Sequence, residues 1–114
     1  MSEDHTKTQR IRELNDNFRS SFDPRSGRVV MTRGIAALSE AERAEIIAAI
    51  TEFDAFDEGS DPHCEHDFVS VEIQGRRIFG KLDYFDLAYQ YHSPDPANPE
   101  VTRRVLTIML ASEY

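Results

Sequence analysis

Residues 68–84 read FVSVEIQGRRIFGKLDY. Phe68 to Ile73 alternates apolar and polar positions, as a strand with one buried face does. Gln74-Gly75 supplies a tight turn, and Arg76 to Tyr84 returns as a second strand. A two-residue loop sets the register. Ile73 then faces Arg76, Glu72 faces Arg77, Val71 faces Ile78 and Val69 faces Gly80. Val69, Val71, Ile73, Ile78, Leu82 and Tyr84 share the core face. Glu72 opposite Arg77 is a favourable cross-strand pair on the other face. Gly80, on the core face, leaves room for a helix to come close.

Outward from this hairpin, helices are expected on both sides in sequence. Ile11, Leu14, Phe18 and Phe22 recur at helical spacing, so residues 7–21 read as an amphipathic helix. Residues 1–6 are polar and expected to fray. Asp23-Pro24-Arg25-Ser26-Gly27 is a turn, and Arg28 to Thr32 a short strand. Ser39 and Glu42 form an S-x-x-E capping box that opens a second helix. Ile46, Ile47, Ile50 and Phe53 make its apolar stripe, and it ends between Phe53 and Phe56. Leu87, Tyr89 and Tyr91 alternate as a further strand would. Asn98-Pro99 reads as an N-cap followed by the first helical residue. The stripe Val101, Val105, Ile108 and Met109 then predicts a last helix. Its broad apolar face fits deep burial or a homodimer contact. The expectation is an α+β fold with the order α-β-α-β-β-β-α. A small antiparallel sheet, made of hairpin 67–84 plus one or two further strands, is packed by three helices.

The chain has 114 residues and a formal net charge of −8, which fits a single domain over 1–114. The charge is uneven. Residues 1–43 hold eight basic and seven acidic residues, whereas residues 44–75 hold nine acidic and no basic ones. No cluster of Lys and Arg exists to neutralise phosphates, so direct nucleic-acid binding is not expected. An acidic face suits a basic protein surface, a cation, or mimicry of nucleic acid. The opening MSEDHTKTQR lacks the apolar region of a secretory signal, and no apolar run is long enough for a membrane span. The single cysteine excludes an internal disulfide framework. A cytoplasmic location is expected.

Chemistry concentrates in EFDAFDEGSDPHCEHD, residues 52–67, which carries seven carboxylates, His63, His66 and the only cysteine, Cys64. As a nucleophile Cys64 is disfavoured, because Asp61, Glu65 and Asp67 surround it and its thiolate needs nearby positive charge. His63, Cys64 and His66 are zinc-competent, but in an extended segment only Cys64 and His66 share a face. No metal centre or other cofactor is therefore expected, and those three residues are the candidates for a metal-binding module. Extending the hairpin register places His66 opposite Asp83. An imidazole beside a carboxylate is an acid–base pair in principle. Glu65 and Asp86 are near enough in sequence to join it, so the catalytic candidates are His66, Asp83, Glu65 and Asp86. The remaining acids Asp54, Asp57, Glu58 and Asp61, with Tyr89 and Tyr91, form a candidate partner-binding surface.

Several strings stand in a familiar order. These are Ile11-Arg12-Glu13-Leu14-Asn15-Asp16, Glu65-His66-Asp67-Phe68, Lys81-Leu82-Asp83-Tyr84-Phe85-Asp86, Ser93-Pro94-Asp95-Pro96, and residues 102–110, TRRVLTIML. From about Ile11 to Tyr114 the chain resembles a bacterial family called domain of unknown function 3768, carried on plasmids and other mobile elements. The resemblance implies no activity and no ligand roles. It implies a glycine before the Glu-His-Asp string, where this chain has Cys64. The function expected is that of a small acidic, non-enzymatic accessory protein binding a basic protein partner. The alternatives are a small enzyme or proton-dependent switch using His66 with Asp83, and a metal-binding module at His63, Cys64 and His66.

Overall fold

The structure is a computed structural model that describes residues 3–114, with side chains from Thr6 onward. Helix α1 spans Glu3–Ser21, strand β1 Gly27–Met31, the single turn α2 Arg33–Ala36, and helix α3 Glu40–Glu52. Strands β2 (Phe68–Ile73), β3 (Arg76–Phe85) and β4 (Arg103–Leu110) follow, and a 3-10 turn over Ala111–Glu113 ends the chain. Of the segment expected to fray, residues 1 and 2 lie outside the described residues, and the helix is already formed from Glu3.

The hairpin has the expected register: Ile73 pairs with Arg76, Glu72 with Arg77, Val71 with Ile78 and Val69 with Gly80. Strand β3 is central and pairs on its other side with β4, giving the order β1-β4-β3-β2. The sheet is mixed, not antiparallel throughout, because β1 runs parallel to β4. That is possible because α2, α3 and the hairpin intervene between the two strands, long enough for a crossover. Gly27 is needed where β1 meets β4: a Cβ there would sit 1.9 Å from the Arg104 carbonyl oxygen.

The α+β class and its succession of element types stand, but two expected elements are different structures. Arg103–Leu110 form a strand, not a helix, and Val101 and Thr102 lie outside it. Leu106 and Ile108 face the helices, and Val105, Thr107 and Met109 the opposite side. The outward face of β4 is half-buried and carries Val105 and Met109, so the strand reads as a nearly continuous apolar run, which imitates a helical stripe. Its β-branched Val105, Thr107 and Ile108 favour the extended form. Asn98 caps a turn rather than a helix, accepting from the Glu100 N–H at 2.9 Å. Residues 87–91 are likewise a turn, not a strand. Asp86 accepts from the Gln90 N–H at 3.0 Å, its own N–H donates to the Tyr91 carbonyl, and Tyr89 takes a left-handed φ of 58°.

Helix α3 begins at the complete capping box of Ser39 and Glu42. Its Ile46 and Ile50 join Phe18, Ile35, Val69, Ile78, Leu82, Leu106 and Ile108 in one core cluster. Burying each such side chain is worth about 1.5–3 kcal/mol, which drives the helices onto one face of the sheet. The space at Gly80 is taken by α3, whose Ile50 Cδ1 lies 3.5 Å from where a Cβ would stand. On the other face Tyr114 packs edge-on against Phe68 and Phe79.

Candidate functional site

The acidic segment does not continue β2 outward. After Asp67 O accepts from the Leu82 N–H at 2.9 Å, the ladder stops. His66 and Cys64 take left-handed φ values of 55° and 58°, which turn the chain back over α1. Such values are costly for residues with a Cβ, so something must hold them. Asp61 holds them from within the loop. It is 6% exposed, and its Oδ1 accepts from the Glu65 and His66 N–H groups at 3.1 and 3.0 Å. Helix α1 holds them from outside. Arg12 donates to the Cys64 carbonyl at 3.1 Å, and Asn15 donates to the Glu65 carbonyl at 2.9 Å.

His66 therefore does not meet Asp83. Its Nδ1 lies 2.9 and 3.1 Å from the two carboxylate oxygens of Asp16, and its Nε2 lies 3.6 Å from Asp61 Oδ2. Its ring stacks on Phe56 with centroids 3.8 Å apart and planes 4° from parallel. Facing acceptor oxygens, Nδ1 carries the proton and donates. Asp16 is also held by Arg19, whose Nη2 donates to its Oδ1 at 3.0 Å. Arg19 is buried and donates through Nη1 to the Ile50 and Phe53 carbonyls, which satisfies the C-terminal end of α3. One arginine thus fastens the end of α3 and the acid that grips His66.

Glu65 belongs to a neighbouring network. The Tyr84 hydroxyl donates to Glu65 Oε1 at 2.8 Å, the Asn15 amide donates to that hydroxyl at 2.8 Å, and Arg104 Nε donates to Asn15 Oδ1 at 2.6 Å. Burial pushes the Tyr84 phenol well above its ordinary range. Asp67 is pushed up from the ordinary carboxylate value, first by desolvation and then by the nearby negative charges of Asp61 and Asp83. Asp57 is shifted down, because the backbone N–H and hydroxyl of Ser60 bond it.

An open cavity of about 260 Å³ lies beside His66, lined by Arg12, Phe56, Asp57, Glu58, Asp61 and Cys64. Of the residues singled out from sequence, the fold gathers His66, Cys64, Asp57, Glu58 and Asp61 there. Asp54 is exposed and does not line it. Asp83 stands apart from His66 and pairs with Lys81 at 3.5 Å. Asp86 caps the 86–91 turn. Tyr89 stacks under Arg28, whose guanidinium sits 3.6 Å from the ring centroid, and Tyr91 is 72% exposed. Arg28 lies on the sheet face turned away from the helices, so Tyr89 is not beside the acidic loop. Phe56 supplies the aromatic surface there instead. His63 and Cys64 are exposed, and no group of three or more His, Cys, Asp or Glu side chains among the described residues is arranged to hold a metal ion. Sequence reading missed Asp16, Arg12, Asn15 and Arg19. The only local signal was the Asp16–Arg19 spacing at (i, i+3), and nothing in it points to a loop 50 residues away.

Residues 31–113 match the family model described as Protein of unknown function (DUF3768). The chain belongs to this family. No curated protein and no solved structure matches it. The matched segment contains Asp61, Glu65, His66 and Tyr84, whereas the α1 residues that grip them precede it. Among the described residues no helix is long and apolar enough to cross a membrane.

Proposed function

We propose that the protein is a small, non-enzymatic accessory protein that binds a protein partner with a basic surface, using the acidic loop around the His66 cavity. One observation carries this reading: Asp57, Glu58 and Asp61 surround an open cavity whose wall is the Phe56–His66 stack. A cationic side chain of a partner finds there several carboxylates and a flat, preformed surface. The nine acids and no bases of residues 44–75 supply long-range attraction for the same kind of partner. Nδ1 of His66 is taken by Asp16, and Asp61 lies 3.6 Å from Nε2, so the ring adds to an acidic surface that suits a cationic side chain. The protein acts in the bacterial cytoplasm. The resemblance to a family carried on mobile elements points to a partner in host defence or DNA maintenance. The test is a pull-down from a bacterial lysate at low and high salt. A defined protein retained at low salt, released at high salt and lost with Asp57→Lys/Glu58→Lys supports the reading. No protein at low salt, or retention that ignores the charge reversal, refutes it.

A second reading is favoured by the Asp16–His66 contact at the cavity: a small enzyme or proton-dependent switch, with Asp16 in the role expected of Asp83. It fails if His66→Ala lowers the melting temperature and leaves the pH dependence of partner binding unchanged.

A further inference from the structure

A second cavity, of about 240 Å³, lies on the opposite flank of α1, and the acidic loop takes no part in it. Asn17 and Ser21 of α1, the Asp23–Arg25 turn, Ser26 and Arg104 of β4 line it. Arg104 is its unusual member. It is 3% exposed, yet among the described residues no carboxylate lies within ion-pair distance of it. Its guanidinium donates to two neutral acceptors, Asn15 Oδ1 at 2.6 Å and the Pro96 carbonyl at 2.7 Å. Tyr84 packs beside it, the guanidinium carbon 5.2 Å from the ring centroid. Glu65 reaches it only through the Tyr84 hydroxyl and the Asn15 amide. A buried guanidinium without a counter-anion is expensive and is rarely kept for stability alone. Desolvation accordingly shifts Arg104 down from its ordinary value.

The other charges lining the cavity cancel. Asp23 and Arg25 form an ion pair at 3.1 Å. One positive charge, that of Arg104, is left over. Its Nε donates to Asn15 and its Nη2 to Pro96, which leaves the Nη1 end of the guanidinium to donate to an oxyanion. Asn17 and Ser26 also line the cavity, and both residue types carry donors of the kind that orient such a ligand.

We propose that this cavity binds a small oxyanion, a carboxylate or a phosphate group, with Arg104 as its charge partner and Asn17 as a second donor. The site is independent of the partner surface proposed above. The volume suits a small molecule or the tip of a peptide side chain.

The test is an NMR titration of the full chain with inorganic phosphate and, separately, acetate, at fixed ionic strength in chloride. The readouts are the Arg104 Nε–H and the Asn17 side-chain amide. Saturable shifts of both signals are expected, and whichever anion binds more tightly identifies the class. Arg104→Lys keeps the charge and loses the fork, and is expected to weaken binding about tenfold or more. Asn17→Ala, at an exposed helical position, is expected to weaken it about threefold to tenfold while leaving the fold intact. If Arg104→Lys does not fold, the wild-type signals and Asn17→Ala decide. The proposal is overturned if neither anion gives saturable shifts at Arg104, if Asn17→Ala binds as tightly as wild type, or if the shifts occur only at exposed sites such as Lys7 and Arg10.

Discussion

The hairpin β2–β3 and the loop 57–67 are contiguous in sequence and built on different principles. The hairpin is a backbone ladder with alternating faces, and its six registered pairs all lie between Phe68 and Lys81. The loop carries two residues in left-handed conformations and is held by side chains. Asp61 grips it from within, and Arg12, Asn15 and Asp16 grip it from a helix about 50 residues earlier. A ladder draws on every residue a little, whereas a tethered loop depends heavily on a few. The loop is therefore the part that can be disturbed without unfolding the sheet, and it carries the exposed charge.

The largest expected effect lies in the sheet. Ile78 is fully buried on the central strand β3. Ile78→Ala is expected to cost about 2–5 kcal/mol, seen as a lower urea midpoint with near-equal loss of protection across the whole sheet. Loss confined to the hairpin would mean that β3 is not the shared centre of one cooperative unit. Asp61→Ala comes next, at about 1–3 kcal/mol, because it strands the Glu65 and His66 N–H groups in a half-buried place. Hydrogen exchange should show those two amides losing protection while Val69 and Val71 keep theirs, and Asp61→Asn, which keeps an acceptor, should recover part of the loss. If the hairpin amides exchange faster to the same degree, the two regions are not separable.

A smaller effect runs the other way. Cys64 sits at φ 58° with an exposed side chain, a conformation glycine adopts without strain. Cys64→Gly is expected to raise stability by about 0.5–1 kcal/mol, by thermal melting, despite the added freedom of the unfolded chain. Destabilisation would mean that the thiol makes a contact of its own. The least effect concerns pH. Asp67 is shifted above its ordinary value of 3.8, so between that value and its folded value the folded state holds more protons than the unfolded one. Stability then falls as pH rises through that window, and the ionised carboxylate is unfavourable above it. Asp67→Asn should remove this decline and be no less stable than wild type at neutral pH. A variant that is less stable at neutral pH would show that the carboxylate has a favourable partner.

The same contrast explains what was legible in the sequence. The hairpin register and the capping box of α3 were readable because each depends on neighbours within a few residues. β4 was not, because Val105 and Met109 make its outward face apolar too, and this blurs the alternation that distinguishes a strand from a helix. At the site, His66 stood out by its residue type and setting. Its partner did not, because extending the ladder through residues 66 and 67 assumes an extended chain. The left-handed turn at His66 exchanges Asp83 for Asp16. Tyr89 was misplaced for the same reason, since its own left-handed φ folds it onto Arg28.

The most direct test of the account compares one kind of charge reversal in the two regions. Asp57→Lys alters the rim of the His66 cavity, and Glu72→Lys alters an exposed position on the hairpin. The affinity of the recovered protein partner should be measured by calorimetry for both variants and wild type at low salt. The account predicts about tenfold or greater weakening for Asp57→Lys and an affinity near wild type for Glu72→Lys. Equal losses in the two variants, or none in Asp57→Lys, would contradict it.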